Sequence, residues 1–306
     1  IALALWNHRM FMLHGDATYS IPKGDEMEEW AVRLYEDRDG LKAKADRRVD
    51  EMWQTFGFDV AEGDTVRVEK IVALYTSRDP AVGDLLEDPR LAVRRAPSFD
   101  ELLASHRVAW STLWDRYDVL IDVAPNADLA PHSIQEILRL HTFHLLQTAS
   151  PHAIRLDASV PARGLHGEAY RGHIFWDEMY VLPFYLERDP DLARSLLMYR
   201  YDRLDEARAM AVKAGYGGAM YPWQSGSNGR EETQVIHLNP RSGKWDPDHS
   251  RLQRHVSAAI AKNVWEYVRR TADRAFLAGY GAEMLLEIAR FWASLATQDD
   301  QGGYEI

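Results

Sequence analysis

Apolar and polar positions follow two different regimes along the chain. Up to residue 77 the apolar residues come in short or alternating runs: Leu3-Ala-Leu-Trp6, Arg9-Met-Phe-Met-Leu13, Thr65-Val-Arg-Val68 and Ile71-Val-Ala-Leu-Tyr75. Gly, Asp and Asn separate them, and this period predicts strands of one sheet. The stretch from Asp25 to Asp50 is dense in charge with little apolar periodicity, and reads as a solvated insertion. After Ser77-Arg-Asp-Pro80 the texture changes. Ser98 and Glu101 have the spacing of a capping box, and Phe99, Leu102, Leu103, Trp110, Leu113 and Trp114 then recur at helical spacing. A helix over 98–116 is predicted, joining two regions.

From Ser133 onward long amphipathic segments alternate with loops. Ser133 with Glu136 and Ser250 with Gln253 predict capping boxes, and Asp189-Pro190 supplies an N-cap followed by a first-turn proline. The second half therefore reads as all-α, with strands over 1–77 and helices over 129–300. Two loops, 151–175 and 215–249, are long and rich in Gly, His, Trp and Tyr, and loops of that length in a helical domain usually carry function. Long helices with aromatic-rich loops on one side suggest an α/α toroid whose loops line a pocket.

Composition sharpens this picture. The 306 residues are 46% hydrophobic, with ten Trp and fourteen Tyr, ample for a large core in two domains or in one large domain with a smaller piece. The net charge of −11 argues against a nucleic-acid duplex or an anionic membrane surface as the main partner. With no cysteine there is no disulfide framework, thiolate nucleophile or Cys-ligated zinc, which suits a cytoplasmic setting. No apolar run approaches the roughly 20 residues of a spanning helix. The start at Ile1 reads as a strand entered midway, and Gly302-Gly-Tyr-Glu-Ile306 stops as an extended segment begins, so both ends read as cut.

Three clusters could carry chemistry. The densest, Gly164 to Met179, combines Tyr170 and Trp176 with Glu168, Arg171, His173, Asp177 and Glu178. An aromatic face stacks on the C–H face of a pyranose while carboxylates and Arg bind its hydroxyls, so a sugar site needs this mixture. The competing reading is a packed loop whose Trp is core and whose Asp caps the next helix. The second cluster, Gly217 to Glu232, repeats the theme with Tyr221-Pro222-Trp223 and the acidic pair Glu231 and Glu232, for which solvated loop charges are the competing reading. The third runs from Trp245-Asp-Pro-Asp248 to Gln253-Arg-His255. His141 and His144 share a helix face, but a lone His pair is more often packed than metal-bound. There is no GxGxxG after a strand, GxxxxGK[ST], HExxH or GxSxG, which favours carboxylate-run hydrolysis or transfer over cofactor chemistry.

Several collinear words are specific. Tyr170-Arg-Gly-His-Ile-Phe-Trp-Asp177, Leu182-Pro-Phe184, Met198-Tyr-Arg-Tyr201 with Leu204-Asp-Glu-Ala-Arg208, Gly218-Ala-Met-Tyr-Pro-Trp223, Glu231-Glu-Thr233, His255-Val-Ser-Ala258 and Gly281 to Ala293 together resemble glycoside hydrolase family 65, the family of maltose, trehalose and kojibiose phosphorylases. The resemblance implies an α+β multidomain fold. Residues 1–90 would be the end of an N-terminal antiparallel β-sandwich, 91–128 a helical linker, and 129–306 the first part of a catalytic (α/α)6 barrel.

It also implies inverting phosphorolysis of an α-glucosyl disaccharide to β-glucose 1-phosphate, with inorganic phosphate as co-substrate, no cofactor or metal, and a homodimer. The implied substrate-binding set is Trp176, Asp177, Arg171, His173, Glu178, Trp223 and His255, with Trp176 and Asp177 on the glucosyl ring and Trp223 walling the pocket. The family's general acid is a Glu two residues before the motif His. Here that position is Gln253, and an amide cannot serve as a carboxylic acid does. Glu231, Glu232 and Asp248 are the candidate replacements. Where the commoner family pattern has Thr-Glu after Trp-Asp, this chain has Glu178-Met179. The phosphate-binding loops belong to later barrel helices. Two other readings stay open: an α-glucosidase on the same scaffold, and a carbohydrate-binding protein that kept the sugar subsite and lost the acid.

Overall fold

The computed structural model describes residues 31–33, 42–48, 51–57, 61–63, 65, 67, 69–75, 79–122, 131–165 and 170–306. The chain divides into two compact units, Ile1–Thr112 and Leu113–Ile306. The expected runs Leu3–Trp6 and Arg9–Leu13 lie outside the described residues.

In the first unit, β1 (Ala31–Arg33) pairs antiparallel with β4 (Ile71–Ala73), and β2 (Lys42–Arg48) pairs antiparallel with β3 (Glu51–Gly57). The charged stretch is thus not only a solvated insertion, since it contains β1 and β2. Its Lys-Ala-Lys-Ala-Asp order alternates, and a strand needs period-two alternation rather than net apolarity. Helix α1 (Glu87–Arg95) starts where Asp84 Oδ1 accepts from the amides of Leu86 (2.7 Å) and Glu87 (2.9 Å). Its first turn is acidic and its last basic, matching the helix dipole. The capping box on α2 (Phe99–Tyr117) is present: the Ser98 amide donates to Glu101 Oε2 (2.9 Å) and the Glu101 amide to Ser98 Oγ (3.4 Å).

The second unit is built from α3 (Pro131–Thr148), α4 (Glu178–Leu186), α5 (Pro190–Tyr201), α6 (Leu204–Lys213), α7 (His255–Thr271), α8 (Arg274–Phe276) and α9 (Ala282–Leu295). A π-turn, Leu277–Gly281, joins α8 to α9. Asp189 caps α5 as expected, with Oδ1 accepting from the Leu192 amide (3.3 Å) ahead of Pro190. Helix α3 begins at Pro131, ahead of Ser133, with proline in its first turn.

The pattern Ser250/Gln253 does not open a helix. Asp248 Oδ1 takes the Ser250 amide (2.9 Å), a single 3₁₀ turn Ser250–Leu252 closes, Gln253 turns extended (ψ 128°), and α7 starts at His255. Nor is this half all-α. The hairpin of β5 (Ile236–Leu238) with β6 (Trp245–Pro247) fills part of the predicted 215–249 loop, and β7 (Thr297–Gln298) pairs with β8 (Tyr304–Glu305).

The core lies between α4, α5, α7 and α9, where Leu182, Tyr185, Leu192, Leu196, Val256, Ile260, Val264, Met284 and Ile288 are buried. Each such aliphatic side chain contributes ~1.5–3 kcal/mol by leaving water. Segment 218–220 threads between α6 and α9. The Ala219 amide donates to Glu287 O (2.9 Å) and the Met220 amide to Ala207 O (3.0 Å). At Gly218 (φ +71°) a Cβ would stand 2.2 Å from Glu287 O and 2.4 Å from Phe291 N, so only glycine passes. The Tyr221 amide then meets Ser257 Oγ (3.1 Å), delivering Trp223 to the start of α7.

Candidate active site

Two loops carry the expected residues, and a short ladder registers them. Ile174 and Ser225 exchange both backbone hydrogen bonds at 2.9 Å, Ser225 also bridges Glu231, and the Glu232 amide donates to Gln224 O (3.0 Å). This pairing sets Trp176-Asp177, at the end of one loop, beside Trp223 on the other.

A line of edge-to-face rings results. Tyr170 meets Phe175 (5.0 Å between centroids), Phe175 meets Trp223 (5.4 Å), Trp223 meets His255 (5.2 Å), His255 meets Trp176 (5.4 Å) and Trp176 meets Tyr180 (5.2 Å). Edge-to-face pairs fix ring planes as well as burying area. Trp176, Trp223 and His255 are thereby brought together. Tyr180, one turn into α4 and largely exposed, joins the line although it was not among the expected residues.

Asp177 stands at the N-terminal end of α4 without capping it. Its carboxylate makes no side-chain hydrogen bond or ion pair among the described residues, and burial pushes its pKa above the ordinary carboxylate value. Glu178, the next residue, is otherwise engaged. It is buried, Arg200 Nε donates to its Oε2 (2.8 Å), and Ser159 Oγ donates to Oε1. Arg200 also holds Phe175 O (3.0 Å), so this buried pair grips the backbone on both sides of Trp176-Asp177.

Tyr170 and Arg171 both adopt positive φ (57° and 54°), followed by Gly172 at 70°. Arg171 Nη2 donates to Glu232 O (2.7 Å), and the His173 amide donates to Tyr170 O (3.0 Å). Gln224 Nε2 and His173 Nδ1 share a hydrogen bond (2.7 Å). Burial and the nearby Arg171 lower the His173 pKa. Glu168 lies outside the described residues.

The candidate acids have distinct surroundings. Glu231 accepts from the amides of Trp223 (2.8 Å), Gln224 (3.2 Å) and Thr233 (3.1 Å) and from Thr233 Oγ1 (2.5 Å), so both oxygens brace its own loop. Asp248 caps the 3₁₀ turn, and its hydrogen bonds with Ser250 hold its pKa below the usual value. The Glu232 side chain lies against Gly226 and near His173, with no hydrogen bond or ion pair to its carboxylate among the described residues. Gln253 is exposed, two residues before His255.

Sequence reasoning missed a second buried arginine. Arg203 grips Asp157 through two hydrogen bonds (2.6 and 2.8 Å), donates to Ser227 O (2.6 Å) and Gly226 O (3.4 Å), and stacks over the Tyr199 ring at 3.7 Å. Tyr199 OH donates to Gly226 O (2.6 Å). Both residues lie near the recognised Met198–Tyr201 word, yet their partners are distant in sequence. Among the described residues, no cluster of three or more His, Asp or Glu is arranged to hold a metal ion, and no helix is long and apolar enough to cross a membrane.

An aromatic wall beside a desolvated carboxylate, carried on the loops of a helical unit, has the chemistry of a sugar site. Residues 139–306 match the glycosyl hydrolase family 65 central catalytic domain and residues 27–113 its N-terminal domain. The chain belongs to glycosyl hydrolase family 65. An uncharacterized glycosyl hydrolase of Mycobacterium tuberculosis is 47% identical over 270 residues, 87% of this chain and 20% of that protein. Trehalose 6-phosphate phosphorylase of Lactococcus lactis is 38% identical over 268 residues, 86% of this chain and 33% of that protein. A solved human-microbiome structure named as a kojibiose phosphorylase superposes with a TM-score of 0.68 at 22% identity, over 93% of this chain and 37% of that one. The chain spans about a fifth to a third of the length of these curated relatives.

Proposed function

We propose that this protein takes part in inverting phosphorolysis of an α-glucosyl disaccharide, releasing β-glucose 1-phosphate and a free sugar. The observation that carries this reading is the half-buried Asp177 carboxylate, paired with no other residue's side chain among the described residues, next to Trp176 in the ring line. A half-buried acceptor of that kind fits the hydroxyls of a glucosyl ring, and the Trp176 and Trp223 faces fit its C–H surface. In the architecture we propose, residues 1–90 end a β-sandwich, 91–128 link, and 129–306 begin an (α/α)6 barrel, in a cytoplasmic homodimer with phosphate as co-substrate and no cofactor.

In such a reaction the C1–O glycosidic bond breaks as an acid protonates the leaving oxygen, and phosphate forms the new C1–O bond from the opposite face. Glu231 is committed to its loop and Asp248 to its turn, so Glu232, near His173, is the acid we favour. The Lactococcus relative is itself named a phosphorylase, which supports phosphorolysis over hydrolysis.

The test is to incubate the protein with trehalose 6-phosphate, trehalose, kojibiose and maltose, with and without inorganic phosphate. Product and anomer are followed by proton NMR. Phosphate-dependent β-glucose 1-phosphate is expected. Phosphate-independent glucose would favour the glucosidase, and sugar binding without turnover would favour the binding protein. Glu232→Gln should lose the disaccharide reaction while retaining an aryl glucoside, whose leaving group needs little protonation.

A further inference from the structure

The two loops of the sugar site share a brace that lies early in the 151–175 loop, well before Trp176 at its end. The segment Asp157 to Ser159 reaches both. Asp157 holds Arg203, which in turn holds Gly226 O and Ser227 O on the Trp223 loop. Two residues on, Ser159 Oγ donates to Glu178, the neighbour of Asp177. Val160, next in line, is anchored in the core, and the Ala162 amide donates to His173 O (3.3 Å). One short strap therefore touches the Trp176 end of its own loop directly and the Trp223 loop through Arg203.

We infer that this strap, through the Asp157–Arg203 pair, sets the separation of the Trp176 and Trp223 loops, making Asp157 a positioning residue for the sugar site. The inference rests on the sugar-site reading above and adds the element that fixes its width. Three features argue for it. Arg203 is buried, with a side chain 4% exposed, while Asp157 is 41% exposed, so the carboxylate is the outer, replaceable half of the pair. Besides Asp157 and Tyr199 O, Arg203 donates to the backbone carbonyls of Gly226 and Ser227, which fixes the position of main chain in that turn rather than of a single side chain. At Gly229 (φ +76°) a Cβ would stand 2.9 Å from Arg203 Cβ and Cγ, so the turn is closed tightly over the arginine.

If Asp157 acts through the loop, its effect on sugar affinity must depend on Trp223. A double-mutant cycle on glucose binding, read by isothermal titration, tests this. Asp157→Ala is expected to weaken glucose binding by about tenfold in the wild-type background and by less than about twofold in Trp223→Ala. Asp157→Asn, which keeps shape and one acceptor, should fall between. Thermal midpoints measured alongside separate this from loss of fold. A lowered midpoint with unchanged glucose affinity, or equal weakening in both backgrounds, overturns the positioning role. Wild-type protein that binds no glucose would overturn the sugar-site reading and this inference with it, whereas binding weakened by Trp223→Ala but untouched by Asp157→Ala would overturn the inference alone.

Discussion

The imidazole of His255 stands edge-on to the indole of Trp223, 5.2 Å away at 65°. This contact ties the first residue of α7 to a loop whose Tyr221 amide already bonds Ser257. The helix start and the loop therefore form one surface, which Trp176 completes from the other side of His255.

His255→Ala removes two edge-to-face pairs, each worth ~0.5–1.5 kcal/mol. It should shift tryptophan fluorescence and weaken glucose binding by roughly three- to tenfold. His255→Phe should restore the fluorescence. Unchanged emission and affinity in the alanine variant would mean that the rings do not organise the site.

The Arg200–Glu178 pair is nearly inaccessible to water at both ends. Arg200→Met strands Glu178 and should cost ~3–5 kcal/mol, read as a lowered urea midpoint. Adding Glu178→Leu removes the stranded charge and should recover a large part of that loss. A double variant no better than the single one would locate the cost elsewhere, for example in the released Phe175 carbonyl.

Asp177 gives a signed pH dependence. Its folded pKa lies above the ordinary 3.8 because burial disfavours its charge. Between the ordinary and the raised value the folded state keeps a proton that the unfolded state has lost, so this contribution to stability disappears as pH rises through the folded pKa. Asp177→Asn stays neutral throughout. Its stability relative to wild type should grow from pH 3 toward neutrality and then level off, as thermal midpoints across pH will show. Glucose affinity of the wild type should move the opposite way, falling as acid neutralises the carboxylate. A flat stability difference would contradict the desolvated placement.

Gly218→Ala should destabilise by about 2–5 kcal/mol, combining a left-handed backbone with a clash against α9. Gly215, also left-handed (φ +84°) but with open space around it, is the control. Gly215→Ala should cost only about 1–2 kcal/mol. Equal losses in chemical denaturation would show that the clash is relieved by movement of α9.

What could be read from the residues alone was local. Asp189-Pro190 and Ser98 with Glu101 announce helix starts because donor and acceptor lie within one turn, and both starts are in place. Ser250 with Gln253 has the same spacing but fails, because Asp248 captures the Ser250 amide first. The alternation in Lys42–Arg48 was hidden by its charge. At the site, the collinear words named Trp176, Trp223 and His255 without their mutual geometry. Edge-to-face pairing across α7, and the grip of Arg203 on Asp157 at a separation of 46 residues, come from chain topology that no short window contains.

The π-turn between α8 and α9 has a consequence for insertion and deletion. From Phe276 to Met284 a regular α-helix would rotate about 800°, leaving the two side chains ~80° apart. Both are nevertheless fully buried, and Ile288 and Phe291 continue the same inward row. The wider turn absorbs one residue more than an α-turn would, bringing the row back into phase. Helix Arg274–Leu295 thus behaves as a shorter helix with one spare residue. Removing Gly279, whose surroundings are open, would leave an unbroken α-helix with the same inward row, whereas removing a residue beyond Met284 would rotate the rest of α9 out of the core.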